Sequence, residues 1–324
     1  MTIPEMTIPG RGDVRITLTS ACNLKCSYCH NEGQRKPWER LPIRITLPMI
    51  ENLLEKAHSY GAKSIKFTGG DPGSYSEIIS LLETVDTWRG KFPGIQKWGI
   101  ATNGIPFMSP SRFRALSNSG LDNISIGVDA LGPKILTKPS SSTGVTGNVL
   151  LNRFIIPLID KWKPKGKFIK IDTVFTGDNK MTTKVIDTSL GLGIGVSVIE
   201  QNGIMGNKST TRLGFKQLIA STAERLGLET RLYTPLNETY LYNTNGDAVV
   251  KFYQDHCADL DCDSCRKIHL RVIPTADGWG AVPCFLQAQE KVIPLGKDVD
   301  HSKIEDSIKY NGKGSEWFKG TRYE

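Results

Sequence analysis

The chain has 324 residues, 39% hydrophobic and 23% charged, enough for one large α/β domain with an appendage or for two domains, and too apolar for wholesale disorder. Lys and Arg (41) exceed Asp and Glu (33) by eight, which reads either as a solvated basic surface or as attraction to an anion. The chain has no run of five or six like charges and no basic stretch with interleaved aromatics, which argues against nucleic acid and leaves a phosphorylated small molecule as the better anion. No apolar run approaches the roughly 20 residues of a membrane span. The N-terminus, MTIPEMTIPGRGD, lacks the basic-then-apolar pattern of a signal peptide, so a cytoplasmic location is expected.

From residue 14 to 200 the sequence repeats one pattern, a short β-branched run followed by an amphipathic helix. Strands are expected at 14–19, 64–68, 96–102, 123–128, 168–175 and 195–200. The helices between them are expected at 47–60, 76–88, 111–119, 149–162 and 181–192, with a Ser/Thr/Gly-rich loop at 139–147 delaying the fourth. Six βα units in succession predict a parallel sheet with right-handed crossovers, fewer than the eight of a closed barrel. The expected fold class is therefore α/β, a partial (β/α)6 TIM barrel over 13–236. From about residue 237 the pattern gives way to a Cys-, Gly- and Asp-rich stretch with strands at 270–273 and 280–284. This is read as a small C-terminal domain, 237–324, too thin to hold a core without a metal or cluster to brace it.

The seven cysteines fall into two groups: Cys22, Cys26 and Cys29, then Cys257, Cys262, Cys265 and Cys284. In a reducing compartment such groups point to metal ligation rather than to disulfides. The first group, Cys22-x3-Cys26-x2-Cys29, directly follows the first strand. Three thiolates at this spacing can cap three irons of a cubane and leave the fourth iron open to a small molecule. A zinc knuckle with His30 as a fourth ligand, or three buried structural cysteines, are the competing readings.

This spacing, with Tyr28 before the third cysteine and the β/α repeat behind it, resembles the radical S-adenosylmethionine (SAM) superfamily. The resemblance implies a [4Fe-4S] cluster on Cys22, Cys26 and Cys29, whose open iron binds SAM for cleavage to a 5′-deoxyadenosyl radical. Thr68-Gly69-Gly70-Asp71-Pro72 resembles the superfamily's GGE motif, with Asp in place of Glu, and implies that Gly69, Gly70 and Asp71 hold the SAM amino group. Taken alone it is a Gly-Asp-Pro turn at a strand end. Thr102 and Ser125 match positions that contact SAM in the superfamily. An external electron donor such as flavodoxin or ferredoxin is implied with it.

Cys262-x2-Cys265, the basic run Arg266 to Arg271, Asp277-Gly278 and Cys284-Phe285 are similar to the auxiliary-cluster segment of the GTP 3′,8-cyclase family. That resemblance implies a second [4Fe-4S] cluster. It also implies that Arg15, Lys66 and Lys170, with Arg266, Lys267, His269 and Arg271, face an anionic substrate. The chain departs from that family in its longer gap before Cys284, its Thr-Arg-Tyr-Glu ending and its extra Cys257. Cys257 reads as a fourth ligand of the auxiliary cluster, as a hydrogen-atom donor to a substrate radical, or as an inert buried thiol. A zinc ribbon is the alternative to a second cluster. The expected function is hydrogen abstraction from a sugar or ribose carbon of an anionic nucleotide or nucleoside. The alternative is a sugar or aminoglycoside epimerase of antibiotic biosynthesis with Cys257 as donor.

Overall fold

The structure, a computed structural model, describes residues 12–24, 26, 28, 29, 45–131, 145–201, 212–233, 238–254, 269–282, 292–299 and 303. In chain order the elements are β1 (Asp13–Thr17), α1 (Leu47–Ser59), β2 (Ser64–Thr68), α2 (Ile78–Lys91), β3 (Lys97–Thr102), α3 (Pro110–Asn118) and β4 (Asn123–Gly127). There follow α4 (Gly147–Leu150), α5 (Ile156–Trp162), β5 (Phe168–Phe175), α6 (Asn179–Gly191), β6 (Gly195–Glu200), α7 (Arg212–Leu226), β7 (Glu229–Tyr233), β8 (Glu238–Tyr242) and β9 (Ala248–Tyr253). The last three strands are β10 (His269–Thr275), β11 (Gly278–Val282) and β12 (Ile293–Gly296). The chain divides into two compact units, with the boundary inside β4.

The first unit contains the described residues of 12–23, 29, 45–124, 269–282 and 292–299. Its strands run in the order β12-β11-β10-β1-β2-β3; β10, β1, β2 and β3 are mutually parallel, and β11 and β12 are antiparallel to their neighbours. The parallel strands alternate. Val14, Ile16, Ile65, Phe67 and Val272 are at most 1% exposed, while Arg15 and Lys66 occupy the opposite face and are partly exposed. The helices follow from the same logic at a longer period. In α1, Ile50, Leu53, Leu54 and Ala57 are the buried residues, spaced three and four apart with Pro48 in the first turn. In α2, Ile78, Leu81, Leu82, Val85 and Trp88 form the same stripe, and Arg89 and Lys91 complement the dipole in the last turn. Each such side chain contributes about 1.5–3 kcal/mol by burial.

The second unit contains the described residues of 24–28, 125–131, 145–201, 212–233 and 238–254. Its strands run β5-β6-β9-β8-β7; β5, β6 and β9 are parallel, and β8 is antiparallel to both of its neighbours. In β5 the alternation is complete, with Ile169, Ile171, Thr173 and Phe175 buried and Lys170 and Asp172 on the other face. Phe215 of α7 packs against Phe175 and Phe252, with ring centroids 5.6 and 5.7 Å apart, which docks that helix on β5 and β9. The helix expected over 149–162 is broken by a π turn at Leu151–Ile155. Pro157 follows directly. Lacking an N–H, it cannot close the ordinary helical bond, and the wider turn relieves that demand.

All six strands of the β/α repeat and their helices stand at the expected places. The segment after residue 237, expected as a small domain of its own, supplies β8 and β9 to the second unit's sheet and β10, β11 and β12 to the first unit's. The helix α7 and the strands β7, β8, β9 and β12 were not anticipated.

Candidate active site

In the first unit the pairing of β1 with β2 continues past both strands into their loops. Leu18 N donates to Thr68 O at 2.9 Å, Gly70 N to Thr19 O at 2.6 Å, and Asp71 N to Ala21 O at 2.8 Å. This brings Gly69 and Gly70 so close to the loop that leads to Cys22 that a Cβ on either would collide with the carbonyls of Thr19, Ser20 or Ala21. Gly69 also has φ +143°, which side chains rarely allow. The two glycines are thus required by the approach of two backbones.

Asp71 is 1% exposed, and its carboxylate accepts from the Thr102 hydroxyl (2.9 Å to each oxygen), from Asn103 N (2.7 Å) and from Gly73 N (2.8 Å). Burial pushes its carboxyl up to about 6, with the three donors opposing the rise. Thr102 in turn accepts from Gly104 N at 3.0 Å. Asp71 and Thr102, both expected at SAM, are therefore bonded to each other. Asn103 extends the arrangement: its Nδ2 donates to Asn23 Oδ1 at 2.9 Å and to Cys22 Sγ at 3.7 Å. Cys22 and Cys29 are partly exposed.

The same unit carries a row of cations. Arg15 of β1 is in register with Lys66 of β2 on one side and with Arg271 of β10 on the other. Adjacent strands lie about 4.8 Å apart and partners in register share a face, so three of the predicted substrate residues are neighbours. Arg271 is 9% exposed, and Arg15 and Lys66 are intermediate.

In the second unit, partly exposed Cys26 lies near Tyr28 in the chain, and the Tyr28 hydroxyl donates to Asp129 just past β4. Asp129 also accepts from Val174 N at 2.9 Å, and burial pushes its carboxyl up to about 6. Ser125 is buried on β4. Lys170 is bonded to Asp172 at 2.6 Å and to Ser197 Oγ at 3.0 Å. Ser197 is in register with Lys251 of β9, and Lys251 with Tyr240 of β8. Lys251 pairs with Glu238 at 2.7 Å, both about 3% exposed; it lies 5.0 Å from the Tyr240 ring and 4.1 Å from the Tyr253 ring. Burial pulls the lysine down to about 8 in spite of Glu238. Tyr240 donates to Glu238 at 2.7 Å and is pushed well above the ordinary tyrosine range by burial and that carboxylate.

Cys257, Cys262, Cys265, Cys284, Arg266 and Lys267 lie outside the described residues, and only the backbone of His269, in β10, is described. Among the described residues no three His, Cys, Asp or Glu side chains converge as ligands of a single ion. A cubane does not ask for that, because each thiolate meets a different iron. The surroundings of Cys22 fit such a group. A side-chain N–H points at its sulfur, and the buried Nδ2 of neighbouring Asn23 has no hydrogen-bond partner among the described residues. Neither Asn103 nor Asp129, nor the Lys251–Glu238–Tyr240 group, stands out in the sequence. The pairing is long-range in most of these, and only the Thr-Asn-Gly turn at 102–104 gave a local sign.

Residues 16–148 match the Radical SAM superfamily. The "Probable GTP 3′,8-cyclase" of Sulfurisphaera tokodaii is 24% identical over 291 residues, 87% of this chain and 83% of that protein. The "Probable GTP 3′,8-cyclase" of Metallosphaera sedula is 27% identical over the same shares. Among solved structures, Streptococcus suis SuiB bound to precursor peptide SuiA has a TM-score of 0.65 at 15% identity, covering 97% of this chain and 68% of that one. The same protein bound to S-adenosylmethionine has a TM-score of 0.63 at 18% identity, covering 94% and 68%. These likenesses agree on the partial TIM-barrel fold, and no helix among the described residues is long and apolar enough to cross a membrane. With its cysteine loop and its Gly-Gly-Asp turn laid against that loop, the chain carries over residues 16–148 the domain of the radical SAM enzymes, a family that works with a [4Fe-4S] cluster and SAM.

Proposed function

We propose that this enzyme acts on an anionic nucleotide, abstracting hydrogen from a ribose carbon, with GTP the first nucleotide to test. The observation that carries the reading is the cross-strand row Arg271–Arg15–Lys66. Cations in register on one face of neighbouring strands concentrate positive charge, which favours an anion laid across them. A polycationic aminoglycoside gains nothing from such a row. The names of the curated relatives supply the guanine nucleotide.

When bound, the cluster and SAM supply a 5′-deoxyadenosyl radical that takes a hydrogen atom from the substrate. Cys22, Cys26 and Cys29 hold the three irons. Gly69, Gly70, Asp71, Thr102 and Ser125 build the SAM side, with the two glycines keeping the loop backbone free of side chains. Arg15, Lys66 and Arg271, with Lys170 and the basic run at Arg266, Lys267 and His269, attract and orient the anion. The proposal extends to residues 237–324 as an auxiliary-cluster segment in which Cys262, Cys265 and Cys284 ligate a second [4Fe-4S] cluster. Cys257 serves there as its fourth ligand or as a hydrogen donor. A flavodoxin- or ferredoxin-type protein supplies the electron.

The test is anaerobic reconstitution with iron and sulfide analysis, then dithionite and SAM assayed for 5′-deoxyadenosine with GTP, with guanosine and with neutral sugars. The expected result is about eight irons per chain, as two cubanes require, and cleavage stimulated by GTP but not by guanosine. Stimulation by a neutral sugar instead would overturn the nucleotide reading. A Cys257→Ala variant that then abstracted hydrogen without forming product would favour the epimerase.

A further inference from the structure

Resting on the radical SAM reading, we propose that Asn103 is a positioning residue that sets the reduction potential of the catalytic cluster through an N–H···S hydrogen bond to Cys22, and that Asp71 holds Asn103 in place for this. Four observations on one short turn carry it. The Asn103 side-chain Nδ2 lies 3.7 Å from Cys22 Sγ, 81 residues away in the chain. Its Oδ1 accepts from Ile105 N at 3.0 Å, so the oxygen side of the amide is committed and the amino group faces the sulfur. The backbone N–H of Asn103 is fixed by Asp71 Oδ2 at 2.7 Å. Asp71 is itself immobilised by Thr102 and Gly73, at 1% exposure.

The physical consequence follows from charge. A cluster gains an electron on reduction and its sulfurs become more basic. A donor on a ligating sulfur stabilises the reduced form more than the oxidised form and raises the potential. In water a single such bond would be diluted by solvent. Here the donor is held by a turn whose polar partners are committed, beside a buried carboxylate that water does not reach. In this chain Asp71, with its three donors inside the protein, acts through Asn103. It is a support of the cysteine loop, whatever else approaches it.

The experiment is an EPR-monitored redox titration of the reconstituted enzyme without SAM, on the parent and on N103S, N103A and D71N. N103S keeps a short acceptor for Ile105 N but is too short to reach the sulfur, so it separates the turn from the donor. N103A removes both. In D71N every partner of the carboxylate is a donor, so the introduced amino group must face one of them, and the turn shifts. Expected are unchanged iron content and melting temperature in N103S, with a midpoint potential lower than the parent's by more than the spread of repeat titrations. N103A should shift in the same direction and D71N by less. Equal potentials in parent, N103S and N103A at full iron loading would overturn the proposal and leave the family reading intact. A parent that binds no cluster would instead remove the ground beneath both.

Discussion

Three cations stand side by side across β10, β1 and β2, whereas the lysines of β5 and β9 each meet a carboxylate, Lys170 with Asp172 at 2.6 Å and Lys251 with Glu238 at 2.7 Å. Both arrangements put positive charge on a sheet face rather than on a flexible surface. They differ in arrangement, a row of three cations in register in the one and lysines each held by a carboxylate in the other. Asp172 and Glu238 fix the positions of the lysines of β5 and β9. The row at Arg271, Arg15 and Lys66 places like charges in register on adjacent strands, a concentration of positive charge that suits an arriving anion. Net charge alone, +8 for the chain, does not distinguish the two.

The sharpest way to break this comparison is in the buried pair. Glu238→Gln should destabilise the protein by about 3–5 kcal/mol in urea unfolding, because Lys251 is left as a buried charge without its counter-charge. Replacing both partners with apolar residues, Lys251→Met with Glu238→Leu, should recover most of that loss. A cost below about 1 kcal/mol for Glu238→Gln, the range of exposed ion pairs, would mean that the pair is solvated and the contrast false.

A pH series sharpens the same point. The folded Lys251 titrates at about 8 and the unfolded one at its ordinary 10.5, so between these values the unfolded chain holds more protons. Stability contributed by this group should therefore rise with pH from about 8 towards 10. Above that, the raised Tyr240 opposes it, since the folded tyrosine keeps a proton that the unfolded one loses. Lys251→Met should abolish the rise in melting temperature over that window.

The smaller effects fall on stability and on substrate binding in different proportions. Lys170→Met should lower stability by about 1 kcal/mol, since a part-buried Asp172 loses its partner. Lys66→Met should change stability by no more than about 0.5 kcal/mol, the range of a part-exposed substitution. In steady-state assays with the nucleotide, Lys66→Met should raise KM about tenfold, or about 1.4 kcal/mol, with 5′-deoxyadenosine formation in the absence of substrate unaltered. Lys170→Met should change KM less. Equal KM effects would show that Lys170 binds substrate as fully as the row does.

Much of this site is legible in the residues themselves. Cys22, Cys26 and Cys29 follow β1, Gly69 and Gly70 follow β2 and Thr102 ends β3, strands whose alternation is plain, so their motifs and their places in the β/α repeat agree. The chemistry of the Gly-Gly-Asp turn is less legible. Its two glycines read as permissive backbone, yet what demands them is the carbonyls of Thr19, Ser20 and Ala21 on another loop. Asp71 reads as a carboxylate one methylene shorter than the Glu of the GGE motif, and nothing in that reading announces that Thr102, Asn103 and Gly73 all donate to it. Lys251 sits in AVVKFY, a run that local patterning reads only as apolar, and its partner Glu238 is on a different strand.

What the sequence determined by itself was the succession of six strands and their helices, the cysteine spacing and the cations available, because period and spacing are local properties of the chain. Tertiary structure decided which of those cations became neighbours. Arg271 stands beside Arg15 only because β10 returns more than 250 residues later to pair in parallel with β1, and Lys251 lines up with Ser197 only because β9 pairs with β6. Strand order depends on which edges remain open and on how much apolar surface each pairing buries. Both are settled over the whole fold, so no window of sequence contains them.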